Sequence, residues 1–296
     1  MFSTSIQFPN LHITLNNLPK SVEVFGINIA FYGLIIAFGM IMGIAIACWE
    51  AKQTGQNPDD YLDFAIYAIV LSVIGARIYY VIFSWDEYKS HPLQIFNIRN
   101  GGLAIYGGVI AAILTCFAYS KIKKMSFTKM CDTGVLGLIL GQIIGRWGNF
   151  FNREAFGSVI SDKHLFAMRI YFDSVYKRFQ VPEAVEEGMK KMTGKSLAQL
   201  NYIQVQPTFL YESAWNALVL SLMLIFRRKK KFDGEVMLWY LMGYSLGRAI
   251  IEGYRTDQLI MPLTGWPVSQ ALSIALFVGA TTIWAYKRIK LKKEEN

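Results

Sequence analysis

Seven long apolar segments set the terms for this chain: residues 28–49, 61–84, 102–119, 131–151, 208–226, 236–253 and 267–286. An α-helix needs roughly 20 mostly apolar residues to cross a hydrocarbon layer about 30 Å thick, and each segment is close to that length. A soluble core would distribute its apolar residues in shorter, alternating runs. The hydrophobic share of 53% and the mean hydropathy of +0.31 therefore matter less than their blockwise arrangement. The expected fold is all-α: a polytopic membrane protein of seven transmembrane helices, with residues 1–296 forming one integral membrane domain. The N-terminal stretch MFSTSIQFPNLHITLNN has no basic region followed by an apolar core and a small-residue cleavage site. No removable signal peptide is expected, and the spans themselves target the chain.

Short loops fix the expected orientation, because Lys and Arg are retained on the cytoplasmic side. Three hydrophilic stretches are basic: Lys121, Lys123, Lys124 and Lys129; Arg227 to Lys231; and Lys287, Arg288, Lys290, Lys292 and Lys293. All fall on one side of a seven-helix layout, which places the N-terminus outside and the C-terminus in the cytoplasm. The same rule accounts for the formal net charge of +9, so no nucleic-acid partner is expected. The connection from 152 to 207 mixes both charge signs with apolar residues (YFDSVYKRF, VPEAVEEGM) and is expected to form a small extracytoplasmic cap. Cys48, Cys116 and Cys131 lie at cytoplasmic span ends without metal-ligand spacing and read as small apolar fillers. Neither a metal nor a cofactor is expected.

Given that layout, polar residues inside the spans can be assigned a depth. Arg146 and Asn149 fall near the outer end of the fourth span, and Arg248 and Glu252 near the outer end of the sixth. Arg77 falls in the outer half of the second, and Tyr32, Tyr106, Tyr211 and Glu212 open the first, third and fifth. An intramembrane charge costs at least a few kcal/mol and normally faces the bundle interior with a partner or ligand. At about 100° per residue, Gln142, Arg146, Asn149 and Arg153 share one face, as do Tyr244, Arg248, Glu252 and Arg255. Gly137, Gly141 and Gly145 run beside the first face and Gly243 and Gly247 beside the second, small-residue edges that admit another helix closely.

Ordinary structural roles compete for several of these groups. Glu252 stands one turn from both Arg248 and Arg255 and reads first as their salt-bridge partner. Asn149 and Asn152 fit helix–helix hydrogen bonding, Tyr211 and Tyr244 an interfacial aromatic belt, and Arg77 a side chain that snorkels to the surface. For Arg146 and Arg248 the visible carboxylates look too few, so an anion is expected from outside the chain. A guanidinium matches phosphate oxygens bidentately, and a lipid reaches such a depth most easily, so a phospholipid head group is the expected ligand.

GRWGNFFNREAFG, residues 145–157, resembles the signature of the bacterial prolipoprotein diacylglyceryl transferases, with Gly145, Arg146, Gly148, Asn149, Phe150, Asn152, Glu154 and Gly157 at matching spacing. GGLAIYGG (101–108), QPTFLYES (206–213) and YSLGRAIIEGYRTD (244–257) are similar to the family's other motifs, in the same order. The resemblance implies a transferase of the bacterial cytoplasmic membrane. Such an enzyme moves diacylglyceryl from phosphatidylglycerol to the lipobox cysteine thiol in a preprolipoprotein signal peptide, leaving a thioether and glycerol 1-phosphate. It also implies Arg146 and Arg248 as catalytic groups around the head group. Tyr32, Asn149, Glu154, Gly157, Tyr244, Glu252 and Arg255 take further substrate-binding positions.

One departure stands out: many relatives carry histidine where this chain has Tyr106. A phenol with a pKa of about 10 is a poor base at neutral pH, and His12, His91 and His164 all lie outside the spans. The expected mechanism is therefore electrostatic, with Tyr106 orienting the head group or donating a hydrogen bond. A transporter would also gather arginines inside a bundle, but it would show discontinuous helices or inverted repeats, and none is apparent.

Overall fold

A computed structural model describes residues 5–98, 101–171, 181–262 and 264–295. Its helices are α1 (Phe31–Gln53), α2 (Pro58–Phe83), the single turn α3 (Trp85–Tyr88), α4 (Ile105–Ile122), α5 (Phe127–Asn152), α6 (Glu183–Thr193), α7 (Thr208–Phe226), α8 (Glu235–Glu252) and α9 (Val268–Glu295). Every apolar segment has become a helix. Six of them are long and apolar enough to cross a membrane, and the chain is a multi-pass membrane protein. The seventh, α8, is more polar, with Glu235, Arg248 and Glu252 among its 18 residues.

The helix limits differ from the hydropathy limits for local reasons. Helix α1 begins at Phe31 because the preceding residues are extended: β3 (Ser21–Val24) and β4 (Ile27–Ala30) pair antiparallel through a two-residue turn at Phe25 and Gly26. Both turn residues have positive φ, 51° and 78°, as a tight hairpin turn requires. Helix α9 continues beyond residue 286 to Glu295, because Lys and Arg are good helix formers and suit a helix C-terminus.

Outside the long helices lies a small sheet that hydropathy does not reveal. Strands β1 (Ile6–Phe8), β2 (Ile13–Leu15), β5 (Met168–Tyr171) and β6 (Tyr202–Val205) form an antiparallel sheet in the order β2-β1-β5-β6. Ile6 stands opposite Ile170, and Ile170 opposite Ile203. Their inward side chains pack with Val185 and Met189 of α6, and with Phe150 of α5 and Phe209 of α7. The ends of two long helices are thereby fixed in one apolar core with the sheet. Residues 172–180, which include most of the YFDSVYKRF stretch, lie outside the described residues.

The chain divides into two compact units. The first comprises Met1–Met42, Leu138–Lys231 and Leu238–Asn296, the second Gly43–Gly137 and Phe232–Met237. Small residues set helix contacts within each. In the first, a Cβ at Gly39 would stand 3.3 Å from the Gly141 carbonyl oxygen, and one at Gly243 would stand 2.6 Å from Val219 of α7. In the second, a Cβ at Gly75 of α2 would meet the Gly107 oxygen of α4 at 2.8 Å. The glycine edges thus do what their spacing predicts.

Arg77, in the second unit, does not snorkel. It is 7% exposed and donates every guanidinium N–H to backbone oxygen: Nε to Ile95, Nη1 to Gly101 and Gly102, and Nη2 to Gln94 and Asn97, at 2.7 to 3.1 Å. The segment following α3 is clasped around it. At the other end of α4, Lys123 lies 3.2 Å from both Asp60 and Asp63, whose carboxylates hold its ammonium above the usual lysine range.

Candidate functional site

Helices α5, α7 and α8 bring their charged residues together within the first unit. Glu212, one turn into α7, is the hub: Arg146 Nη2 lies 2.6 Å from its Oε2, and Arg248 Nη1 lies 2.8 Å from its Oε1. Arg255 Nη1 is 3.6 Å from the same Oε1. Glu252 adds a second carboxylate, 2.6 Å from Arg248 Nη2 and 3.8 Å from Arg255 Nε. Two guanidiniums that reach the two oxygens of one carboxylate are close enough to meet a single ligand.

Local chain geometry extends the network at both ends. Beyond α8, Asp257 accepts from Arg255 Nε at 2.9 Å and Nη2 at 2.8 Å, a bidentate fork. Burial pushes the Asp257 carboxyl upward, but the Arg255 fork outweighs it and holds the group below the usual carboxylate range. Toward α5, Arg146 Nη1 donates to Asn149 Oδ1 at 3.4 Å, and Asn149 and Asn152 donate to Glu154 Oε1 at 3.1 and 3.3 Å. The two asparagines therefore hold Glu154, and in doing so do not bridge helices.

Two expectations need correction. Arg153 does not continue the Arg146 face: α5 ends at Asn152, Arg153 has φ 58°, and its guanidinium donates to the carbonyls of Phe151 and Leu18. Nor are carboxylates scarce. Glu212, Glu252 and Asp257 face Arg146, Arg248 and Arg255, so the three half-buried cations are matched by three anions. What remains is donor capacity. A guanidinium has five N–H groups, and Arg146 spends its described polar contacts on Asn149 and Glu212 alone, with 21% of its side chain exposed.

Gly157 ties this network to the backbone. It pairs in a bridge with Arg255, its N–H donates to the Gln206 carbonyl at 2.9 Å, and Ser158 N–H donates to the Tyr254 carbonyl at 2.7 Å. A Cβ at Gly157 would stand 2.8 Å from Gln206 Cβ and 3.0 Å from Thr208 Cγ2. Only glycine lets the segment after α5 lie between the start of α7 and the end of α8. Tyr32 packs its ring on Gly148, where a Cβ would be 2.8 Å away. Tyr244 stacks on Tyr240 at 5.5 Å, and Tyr240 accepts from Gln142 at 2.9 Å.

Of the residues singled out in the sequence, Arg146, Asn149, Glu154, Glu252, Arg248 and Arg255 share one network, and Gly157 braces it. Tyr106 belongs to the second unit, as the second residue of α4, with its ring 6.5 Å from that of Tyr79. Glu212 reads in the sequence as a polar residue opening the fifth span, without a role in the site. It had the same signal as the arginines, a charge within an apolar segment, and its position one turn into α7 is the level at which they converge.

Residues 19–286 match the family described as prolipoprotein diacylglyceryl transferase. The chain belongs to that family. It is 41% identical over 270 residues to a phosphatidylglycerol–prolipoprotein diacylglyceryl transferase of Clostridioides difficile, covering 91% of this chain and 95% of the relative. Proteins of the same name from Listeria monocytogenes and Bacillus licheniformis are 40% and 37% identical, each over 92% of this chain and over 91% and 93% of the respective relative. The matched residues include strands β5 and β6, the long helices as far as residue 286 and every residue of the Glu212 network.

Proposed function

We propose that this chain is a phosphatidylglycerol–prolipoprotein diacylglyceryl transferase. It transfers sn-1,2-diacylglyceryl from phosphatidylglycerol to the lipobox cysteine thiol of a preprolipoprotein, forms a thioether and releases glycerol 1-phosphate, at the first step of bacterial lipoprotein maturation. The observation that carries this reading is the convergence of Arg146 and Arg248 on the two oxygens of Glu212.

In this scheme the phosphate of the lipid takes the unspent N–H donors of Arg146 and the adjoining donors of Arg248. The thiolate sulfur attacks the glycerol carbon that bears the phosphate ester. The S–C bond forms, the C–O bond breaks, and its electron pair leaves on the phosphate of glycerol 1-phosphate, where the fixed cations stabilise the growing charge. The thiol proton passes to water before attack, and the unspent N–H donors of Arg146 favour the thiolate. Glu212 and Glu252 hold the guanidiniums in place when no lipid is present, and Asn149 and Glu154 orient Arg146. Tyr106 enters on its motif alone, to orient the head group or donate a hydrogen bond.

The protein sits in the bacterial cytoplasmic membrane, with the N-terminus and the 152–207 cap outside and the C-terminus in the cytoplasm. Helix α8 completes seven spans, its charges shielded by α5 and α7. The test uses purified protein, phosphatidylglycerol vesicles and a lipobox peptide. The peptide should gain the mass of one diacylglyceryl group, and Arg146→Ala should reduce that gain at least a hundredfold. An unmodified peptide, or equal product from the variant, would overturn the reading, and Tyr106→Phe asks separately whether its hydroxyl contributes.

A further inference from the structure

Beginning about one turn beyond Glu212 on the same helix, α7 and α8, with Arg288 of α9, line an apolar groove of about 660 Å³ in the first unit, within the 300–1,000 Å³ typical of ligand sites. Its walls include Trp215, Leu222 and Phe226 of α7 and Trp239 and Met242 of α8, and its lining also includes Lys229, Lys231 and Arg288. From Trp215 to Phe226 the groove runs roughly 16 Å at the helical rise of 1.5 Å per residue, about half the thickness of a bilayer's hydrocarbon core. Basic loops are ordinary on the cytoplasmic side of a membrane protein. Here three of their cations also line an apolar slot one leaflet deep.

We propose that this groove is a second lipid site, selective for an anionic phospholipid and separate from the Glu212 network. One acyl chain lies along α7 between Trp215 and Trp239, and the phosphate rests among Lys229, Lys231 and Arg288. Glu212 is near the start of α7 and Phe226 is its last residue, so the cations of the groove and the Glu212 network stand at opposite ends of one helix, although the apolar wall of the groove begins at Trp215. In the orientation proposed above, this second lipid belongs to the cytoplasmic leaflet. Lys231 lies 3.9 Å from Glu295 in an exposed pair, worth little in water, while Lys229 and Arg288 lie over the rings of Phe226 and Trp284.

Full-length protein in phosphatidylcholine nanodiscs tests this, with phosphatidylserine brominated on its acyl chains as the probe and tryptophan fluorescence as the readout. Phosphatidylserine should half-quench the groove tryptophans at a mole fraction about fivefold lower than brominated phosphatidylcholine, the scale expected when basic side chains meet an anionic lipid. The triple variant Lys229→Gln, Lys231→Gln, Arg288→Gln should lose the preference, and Trp239→Phe should remove part of the selective signal. Met242→Phe, which narrows the slot and keeps the charges, should weaken quenching by phosphatidylserine severalfold. Equal quenching by both lipids overturns the proposal, as does a preference that survives the triple variant. Protection of the groove in a dimer also overturns it, since a second copy would then be the occupant.

Discussion

Arg77 in α2 donates to five backbone carbonyls, whereas Arg146 in α5 and Arg248 in α8 are held by the carboxylates of Glu212 and Glu252. Sequence alone places all three at similar depth, but reads Arg77 as a side chain that snorkels to the surface and the other two as ligands of an anion. The carbonyl cage around Arg77 consumes every donor it has, so that side chain can only hold its own loop. Arg146 keeps donors in reserve beside an exposed edge. Among arginines buried in a helix bundle, the count of unspent N–H groups separates a clasp from a grip.

Removing Glu212 should break the comparison most severely. Glu212→Ala leaves Arg146 and Arg248 without their shared counterion, and stripping one partner from a buried pair typically costs about 3–5 kcal/mol. Thermal unfolding in detergent should show a large drop, and thioether formation should fall more than a hundredfold. Full activity would mean that Glu212 does not set the arginine positions.

Arg77→Met should cost about 2–4 kcal/mol, because several buried carbonyls lose their donor at once. Turnover per folded molecule should stay within about twofold. Stability close to wild type with turnover abolished would place Arg77 among the functional arginines and erase the distinction. Gly157→Ala comes next, at about 1–3 kcal/mol for forcing a methyl group into a filled space. Its loss of turnover should follow its loss of stability.

Asp257→Asn sharpens the contrast with the smallest effect, under about 1 kcal/mol, since 44% of that side chain is exposed and solvent screens the pair. The folded carboxyl is held below its unfolded value of about 3.9, so its contribution is complete above that pH. It is lost as pH falls through the lower folded value. Unfolding curves of variant and wild type should therefore separate at neutral pH, more so in low salt, and converge as acid protonates the folded carboxyl.

The long helices were legible because a span needs an unbroken apolar block, and no short-range competitor imitates one. Their ends were less so. Residues 27–30 look like the start of a span but pair with β3, and the tail past residue 286 is charged yet stays helical. The arginine face of α5 followed from helical period as far as Asn152, after which Arg153 itself takes a left-handed backbone and leaves the face. Glu212 was visible as a polar residue but not as a hub, because its importance comes from two helices remote in sequence. The same holds for Gly157, whose need for glycine arises from Gln206, Thr208 and Tyr254.

Strand β1 pairs with β5 across roughly 160 residues of chain, and this spacing has a consequence for biogenesis. At a synthesis rate of about 5–20 residues per second, the N-terminal strands emerge roughly 8–30 seconds before their partner exists. Throughout that interval β1 offers an open edge while α1, α2, α4 and α5 are being inserted. Assembly of the sheet is thus a late event, timed by the ribosome, and any factor that shelters nascent strand edges would act on this enzyme in that window.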